Sequence, residues 1–375
     1  MSFQQGLSGL NAAAKNLDVI GNNIANANTT GFKASSAQFA DVYAASLGGG
    51  GTQIGIGTSL AGVAAAYTQG NISVTNSPLD LAINGQGFYR LDVNGSIAYT
   101  RDGQFHLDKD GYVVNSTGAN LTGYAANAAG LVNQSGLVNL QLSPGDIPAQ
   151  PTTQAAVSAN LDSRSAALPA LGFNLTDPSS YHSATSMSVY DSQGNPHSMS
   201  LFFMKTAPNT WSVFAAGDGT QIGAGAVGSV VFRADGTLNA GASTFPAVVN
   251  VPATAGATTP IAVNVDFAGS TQFGSVFGVN ALTQDGFTSG RLAGFSVGTD
   301  GTLLARYTNG LTRAQGQVVL SNFTNPHGLQ PLGNNLLGET PVSGQPLTGA
   351  PGSGSLGVLH AGALEDSNEI GRAHV

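Results

Sequence analysis

The clearest periodicity in the chain lies in residues 1–30, where apolar or small side chains recur at alternating steps of four and three. This heptad spacing predicts an amphipathic α-helix with one narrow apolar seam, as in a coiled coil. The predicted apolar seam consists of Phe3, Leu7, Leu10, Ala14, Leu17, Ile20 and Ile24. An isolated helix of this length is marginal in water, so the seam needs a partner, either within its own domain or from another helix. The terminal position and the strict heptad favour a coiled coil.

The helix is expected to end in the polar segment Asn-Ala-Asn-Thr-Thr-Gly at residues 26–31, because Gly31 can adopt the positive φ that closes a helix. Residues 31–74 then predict an extended connector. Its glycine run at 48–51 leads into scattered apolar residues that are typical of extended chain and turns.

From about residue 72 onward, short segments that alternate with a period of two predict β-strands. Asp-Gly pairs, which suit the positive φ values of tight hairpin turns, separate many of these segments. Residues 185–190 and 197–203 flank a turn and predict a hairpin, and residues 211–214 predict its third strand.

Two polar stretches, at 141–153 and near 270–285, indicate domain boundaries. We therefore expect a mainly β protein with a coiled-coil type terminal helix and two β-rich domains. Residues 75–146 and 285–362 would form a discontinuous inner domain, and residues 147–284 an outer domain inserted into it. The pattern alone does not decide this nesting.

Composition narrows the classes of function. Only 9% of the residues are charged while 41% are hydrophobic, and the formal net charge is −8. A charge-poor surface suits close packing between subunits, because few charges must be stripped of water. With 12 Lys+Arg we expect no nucleic-acid partner, and with no cysteine we expect neither a disulfide nor a thiolate zinc site. No apolar run is long enough for membrane insertion.

Short motifs give no positive sign of catalysis. The Gly-x-Gly-x-x-Gly match at 352–357 lacks a surrounding βαβ unit, and the calcium-like loop at 108–111 lacks its remaining ligands. The histidines are scattered without metal-ligand spacing. We therefore predict no catalytic, cofactor-binding or metal site, no cofactor and no enzymatic activity.

Residues 8–33 resemble the N-terminal signature shared by flagellar rod and hook proteins. The positions that carry this signature are Asn22, Asn23, Asn26, Gly31 and Phe32. Further stretches similar to the family lie at 79–88, 99–105, 121–124, 316–323, 325–329 and 362–365. A hairpin at 189–197 is similar to one typical of hook proteins. This hairpin favours the hook over the distal rod. The distal rod, a rigid drive shaft, is the first alternative. A secreted β-rich adhesin is the second alternative, but it leaves the signature unexplained.

The resemblance implies a subunit that assembles with itself into a helical homopolymer, a curved tube that passes torque from the motor and rod to the filament. It also implies contacts with rod, hook cap and hook–filament junction proteins. The implied location is the extracellular hook and basal body, reached through the flagellar type III export apparatus without a cleaved signal peptide.

The end of the chain departs from the family pattern, which continues with a long amphipathic helix. Residues 369–375 have no heptad, and residues 370–375 are compatible with read-through of a sequencing adapter. We expect this tail to be non-native. Without an intrachain partner for its helix, the chain is expected to be monomeric and disordered over residues 1–30.

Overall fold

The structure, a computed structural model, describes residues 2–42, 55, 57–143, 145–169, 172–253 and 256–369. Within these ranges one α-helix precedes a long series of β-strands, which confirms the predicted fold class. The glycine run at 48–51 and the tail at 370–375 lie outside the described residues. The chain folds as two units. The discontinuous unit contains residues 1–144, 293–306 and 312–375, and the inserted unit contains residues 145–292 and 307–311.

Helix α1 (Ser2–Ala25) begins the discontinuous unit and packs on a two-stranded antiparallel sheet. The two strands of this sheet are β1 (Ser35–Val42) and β2 (Gly57–Ala65). The expectation of disorder over residues 1–30 is therefore wrong for the described residues. The sequence pattern also missed the pairing of β1 with β2, because small residues blur the alternation in both strands.

The rest of the first half of the discontinuous unit consists of short strands. They are β3 (Ile72–Val74), β4 (Leu81–Asn84), β5 (Phe88–Val93), β6 (Ser96–Thr100), β7 (Phe105–Leu107), β8 (Val113–Asn115), β9 (Asn120–Ala126) and β10 (Val132–Asn139).

The inserted unit contains two sheets and a 3-10 turn at Pro178–Ser180. The strands are β11 (Gln154–Asn160), β12 (Ser183–Tyr190), β13 (Pro196–Ala207), β14 (Thr210–Gly217), β15 (Thr220–Ile222), β16 (Gly228–Val231), β17 (Ala247–Val251), β18 (Ile261–Asp266) and β19 (Gly278–Gln284). The four-stranded sheet has the order β17-β18-β11-β19, and the five-stranded sheet is built on the order β12-β13-β14-β15, with β16 beside β14.

The chain then returns to the discontinuous unit, which also contains a 3-10 turn at Pro326–Gly328. The returning strands are β20 (Leu292–Val297), β21 (Thr302–Tyr307), β22 (Thr312–Val318), β23 (Leu320–Asn322), β24 (Gln330–Gly333), β25 (Leu336–Gly338), β26 (Leu347–Gly349), β27 (Val358–Ala361) and β28 (Ala363–Glu365).

The two halves of the discontinuous unit share one 13-stranded sheet with the central order β20-β21-β22-β9-β5-β6-β25-β24. Strand β22 pairs with β9, and β25 pairs with β6, so strands from late in the chain flank a central group of early ones on both sides. The core beneath the sheet joins Leu81, Tyr89 and Leu91 to Leu320 and Leu359. Neither half of the chain therefore supplies this core alone.

The predicted hairpin is confirmed in the inserted unit. Strands β12 and β13 pair antiparallel, with Val189 opposite His197, and the predicted third strand at 211–214 lies within β14. Trp211, the only tryptophan of the chain, is fully buried in this unit, and its indole Nε1 donates a 2.6 Å hydrogen bond to Gln272. Its fluorescence therefore reports on the inserted unit.

A histidine held by two carboxylates fixes the turn of this hairpin. The ring Nδ1 of His197 lies 2.6 Å from Asp218 Oδ2, and its Nε2 lies 3.4 Å from Asp191 Oδ2. Asp191 is fully buried and also accepts hydrogen bonds from the backbone and side chain of Asn195. Burial lowers the pKa of His197, but its hydrogen bonds with the two aspartates outweigh burial and raise that pKa above 6.5. The imidazolium form is thus the one that stabilises the turn.

We expect His197→Gln to lower the melting temperature of the inserted unit by roughly 3–6 °C at pH 5.5, and by less than about half of that at pH 9. A histidine with a raised pKa contributes its full stabilisation below the unfolded-state pKa of about 6.5 and loses it as the pH rises through the folded-state pKa. Thermal unfolding followed by Trp211 fluorescence measures the effect.

The exposed His106 of the discontinuous unit provides the control. His106→Gln should leave the Trp211 transition unchanged at both pH values. An equal loss for His197→Gln at pH 5.5 and pH 9 would contradict the role of the protonated ring.

A candidate assembly face and its charged junction

All seven residues of the apolar seam lie on the solvent side of α1. Phe3, Leu10, Leu17 and Ile24 expose between 65% and 82% of their surface, and Leu7 and Ile20 expose 48% and 41%. Full burial of one such large side chain contributes about 1.5–3 kcal/mol. Exposed apolar surfaces of this kind are typical of interaction sites.

The opposite, more polar face of α1 packs on β1 and β2. Asn23 is 5% exposed and makes two hydrogen bonds with the backbone of Ser35, from Nδ2 to the carbonyl at 2.8 Å and from the amide to Oδ1 at 2.9 Å. Ser8 likewise accepts a hydrogen bond from the Thr58 amide at 3.3 Å. Intramolecular packing thus uses the polar face and leaves the apolar seam free.

The remaining signature residues end the helix and turn the chain. The amide of Asn26 bonds to the carbonyls of Asn22 and Asn23, and its side chain donates to the Asn22 carbonyl at 2.9 Å. Gly31 follows with a φ of +68°. Half-buried Phe32 lines a cavity of about 290 Å³ in this part of the unit, together with Tyr67.

Gly31 lies against the backbone of another strand connection. A Cβ atom at this position would approach the carbonyl carbon of Arg101 and the amide nitrogen of Asp102 to 2.6 Å each. The Gly31 amide donates a 2.8 Å hydrogen bond to the carbonyl of Glu365. Both the left-handed backbone and the close approach therefore require glycine here.

The charged side chains of Lys33 and Arg101 both contact that of Glu365 next to this turn. We call this group of three side chains the charged junction. The Glu365 carboxylate accepts hydrogen bonds of 2.6 Å from Lys33 Nζ and of 2.6 Å from Arg101 Nε. The side chain of Glu365 is 1% exposed, and each of the two cations is 7% exposed. Arg101 directs its other nitrogens to the carbonyls of Gly87, Gly85 and Ile83.

The junction holds two cations and one anion away from water. Burial lowers the pKa of Lys33, and the negative charge of Glu365 partly offsets that effect. Removal of one member of a buried ion cluster is costlier than loss of a surface pair, because it leaves the remaining charge uncompensated. Glu365 is thus the group that allows both cations to stay buried.

Asn368 extends the junction toward the hairpin of β1 and β2. Its side chain accepts a 2.7 Å hydrogen bond from the Ala34 amide and donates to the carbonyls of Ala66 at 2.7 Å and Thr68 at 3.2 Å. Asn368 therefore links the segment that precedes β1 to the segment that follows β2.

Sequence reasoning missed the charged junction. A usable signal was present, because Lys33, Arg101 and Glu365 each lie within a stretch that resembles the family, in a chain with only 9% charged residues. In the described ranges, no group of three or more His, Asp or Glu residues could hold a metal ion. No described helix is long and apolar enough to cross a membrane.

We expect Gly31→Ala to destabilise the discontinuous unit by about 2–4 kcal/mol, because it adds a clash with Arg101 to the strain of a left-handed alanine. Gly118 provides the matched control, because it has a φ of +81° and a Cβ added there would meet no atom within 4 Å. Gly118→Ala should cost only about 1 kcal/mol. Native-state hydrogen exchange of strand β5 measures both changes, and equal effects would exclude a role for the close approach.

Three families of flagellar proteins match successive parts of the chain. The flagella basal body rod protein family matches residues 3–33. The flagellar hook protein FlgE/F/G D1 domain matches residues 82–160, and the flagellar basal body protein FlaE D2 domain matches residues 160–287.

Similarity to whole proteins extends over most of the chain. The flagellar hook protein FlgE of Escherichia coli is 40% identical over 378 residues, which cover 98% of this chain and 90% of that protein. The flagellar hook protein FlgE of Salmonella typhimurium is 39% identical, with coverage of 98% and 91%. That of Rhizobium meliloti is 32% identical, with coverage of 98% and 89%.

A solved structure shares the fold. The crystal structure of the Helicobacter pylori flagellar hook protein FlgE2 matches with a TM-score of 0.60 at 14% identity, covering 78% of this chain and 100% of that one. The relatives at 32–40% identity, each matched along nearly the whole chain, show that this chain belongs to the flagellar hook protein family.

Proposed function

We propose that this chain is the structural subunit of the bacterial flagellar hook and polymerises into a curved, flexible tube that transmits torque from the rod to the filament. The observation that carries the proposal is the apolar seam of α1, which lies in solvent while the polar face of the same helix is bound. Relatives matched along nearly the whole chain bear the name of the hook protein.

The proposed partner of the apolar seam is a helix of another copy of the chain, so we expect the chain to assemble, whereas the sequence alone suggested that it stays monomeric. Heptad spacing lets two helices interlock knobs into holes along such a seam. Because the polar face of α1 is held by β1 and β2, binding at the seam would require no rearrangement of the subunit. Torque on the helical layer would then pass into the β-strands through the charged junction.

Flexibility of the tube is proposed to come from the low charge of the chain. With 9% charged residues, few specific ion pairs would have to break when neighbouring β units slide past one another. A tight helical layer and a sliding β layer together suit a universal joint.

The family also supplies proposed partners and a route. These are the rod, the hook cap, the hook–filament junction proteins and the flagellar type III export apparatus, with an extracellular hook location and no cleaved signal peptide. The distal rod protein is the alternative assembly, because the matched N-terminal family is named for the rod. The D2 family over residues 160–287 and the whole-chain relatives favour the hook.

We expect Leu10→Asp to raise the protein concentration needed for assembly by about tenfold or more, because it places a charge in the apolar seam. Asn11→Asp adds the same charge on an exposed position beside the seam and should change this concentration by less than about twofold. Sedimentation of the purified chain over a concentration series measures the threshold.

Electron microscopy of the assembled material distinguishes the two candidate functions. Curved tubes support the hook, and straight tubes support the rod. Equal effects of the two substitutions, or a wild-type chain that stays monomeric at every concentration, would contradict assembly through the seam.

A further inference from the structure

Strands β27 and β28 lie late in the chain and pair with two strands that lie early in it. β27 pairs with β4, and β28 pairs with β3, each as a separate two-stranded sheet. In the described part of the chain, β3 and β4 have no other strand partner. Residues 72–74 and 81–84 therefore gain their ladder hydrogen bonds from residues 358–365.

The same late residues hold the base of the N-terminal helix. Glu365 binds Gly31 through its carbonyl, and it binds Lys33 and the Gly70 amide through its carboxylate. Asn368 binds the Ala34 amide. Three described hydrogen bonds of residues 30–34 to other segments are independent of the late residues. They join the Thr30 carbonyl to Asn335 Nδ2 at 3.0 Å, the Ala34 carbonyl to the Ala66 amide at 2.7 Å, and Lys33 Nζ to the Thr68 carbonyl at 2.8 Å.

Before the late residues are in place, the charged junction carries two cations and no anion. Arg101 would direct its guanidinium to neutral carbonyls only, and Lys33 would keep the Thr68 carbonyl as its acceptor. A buried site that holds two uncompensated cations is unfavourable. Without Glu365, the turn at residues 30–34 would lose both the carboxylate that pairs with Lys33 and the carbonyl that binds the Gly31 amide.

The inserted unit has no such dependence on late residues. It consists of residues 145–292 and 307–311. Its core is built from side chains between Ala155 and Phe267, with Phe277 packed against it. This unit is complete about fifty residues before Glu365 in chain order.

We propose that residues 363–368 act as a latch, in which Glu365 locks the base of α1 onto the discontinuous unit only once these late residues are in place. In any delivery of the chain from its N-terminus, the inserted unit folds first and the base of α1 stays unanchored until the latch closes. The latch therefore delays the presentation of the apolar seam on a fixed support until residues 363–368 are in place. It concerns the folding of one chain and holds whether or not the seam mediates assembly.

Hydrogen exchange followed by mass spectrometry on the full chain tests the latch. Glu365→Gln should speed exchange in residues 31–34 and 66–74 by about 100-fold or more, because it leaves both cations without an anion. Asp366→Asn removes the same charge next to it. Asp366 faces Ser73 and Asn71 rather than a cation, so this change should alter exchange by less than about tenfold. Exchange in β13 of the inserted unit should be unchanged in both variants.

Two truncated chains test the order of folding. A chain that ends after residue 362 should lose protection in residues 31–34 and 66–84 but keep the protection of β13 and the buried Trp211 signal. A chain that ends after residue 369 should keep all of these. Protection of residues 31–34 in the shorter chain, loss of β13 protection with it, or equal effects of Glu365→Gln and Asp366→Asn would each overturn the proposal.

Discussion

One buried carboxylate, that of Glu365, determines how the ends of this chain are held. It neutralises Lys33 and Arg101 within 2.6 Å, and the backbone at the same residue binds Gly31. In a chain with 9% charged residues, this concentration of buried charge sets a strict geometric requirement. Glu365 also lies in β28, which pairs with β3.

The orientation of α1 reverses the usual rule for a surface helix, which buries its apolar face and exposes its polar one. Here Asn23 is buried against Ser35 while Leu10 and Leu17 face solvent. Such an arrangement is unfavourable for an isolated subunit, because the apolar side chains of the seam remain in water. It would become favourable if another molecule covered the seam, as in the proposed polymer.

Local pattern predicted the helix, the hairpin at residues 185–203 and the mainly β fold, because periodicity and turn residues act over short distances. The pairing of β1 with β2 was missed because Ala, Gly and Ser dominate both strands. The charged junction was missed for a different reason. Its members are distant in sequence, and nothing in a stretch such as 362–365 shows which cation its glutamate will face.

The separation of Lys33 from Glu365 is 332 positions, yet this distance weighs little on stability. The entropy lost when a loop closes grows only with the logarithm of its length, so a doubling of the loop costs about 0.6 kcal/mol. Segments between the two residues can therefore lengthen, shrink or be exchanged during evolution with little effect on the contact that closes the loop. A longer or shorter inserted unit would therefore change the entropic cost of the contact between Lys33 and Glu365 only slightly.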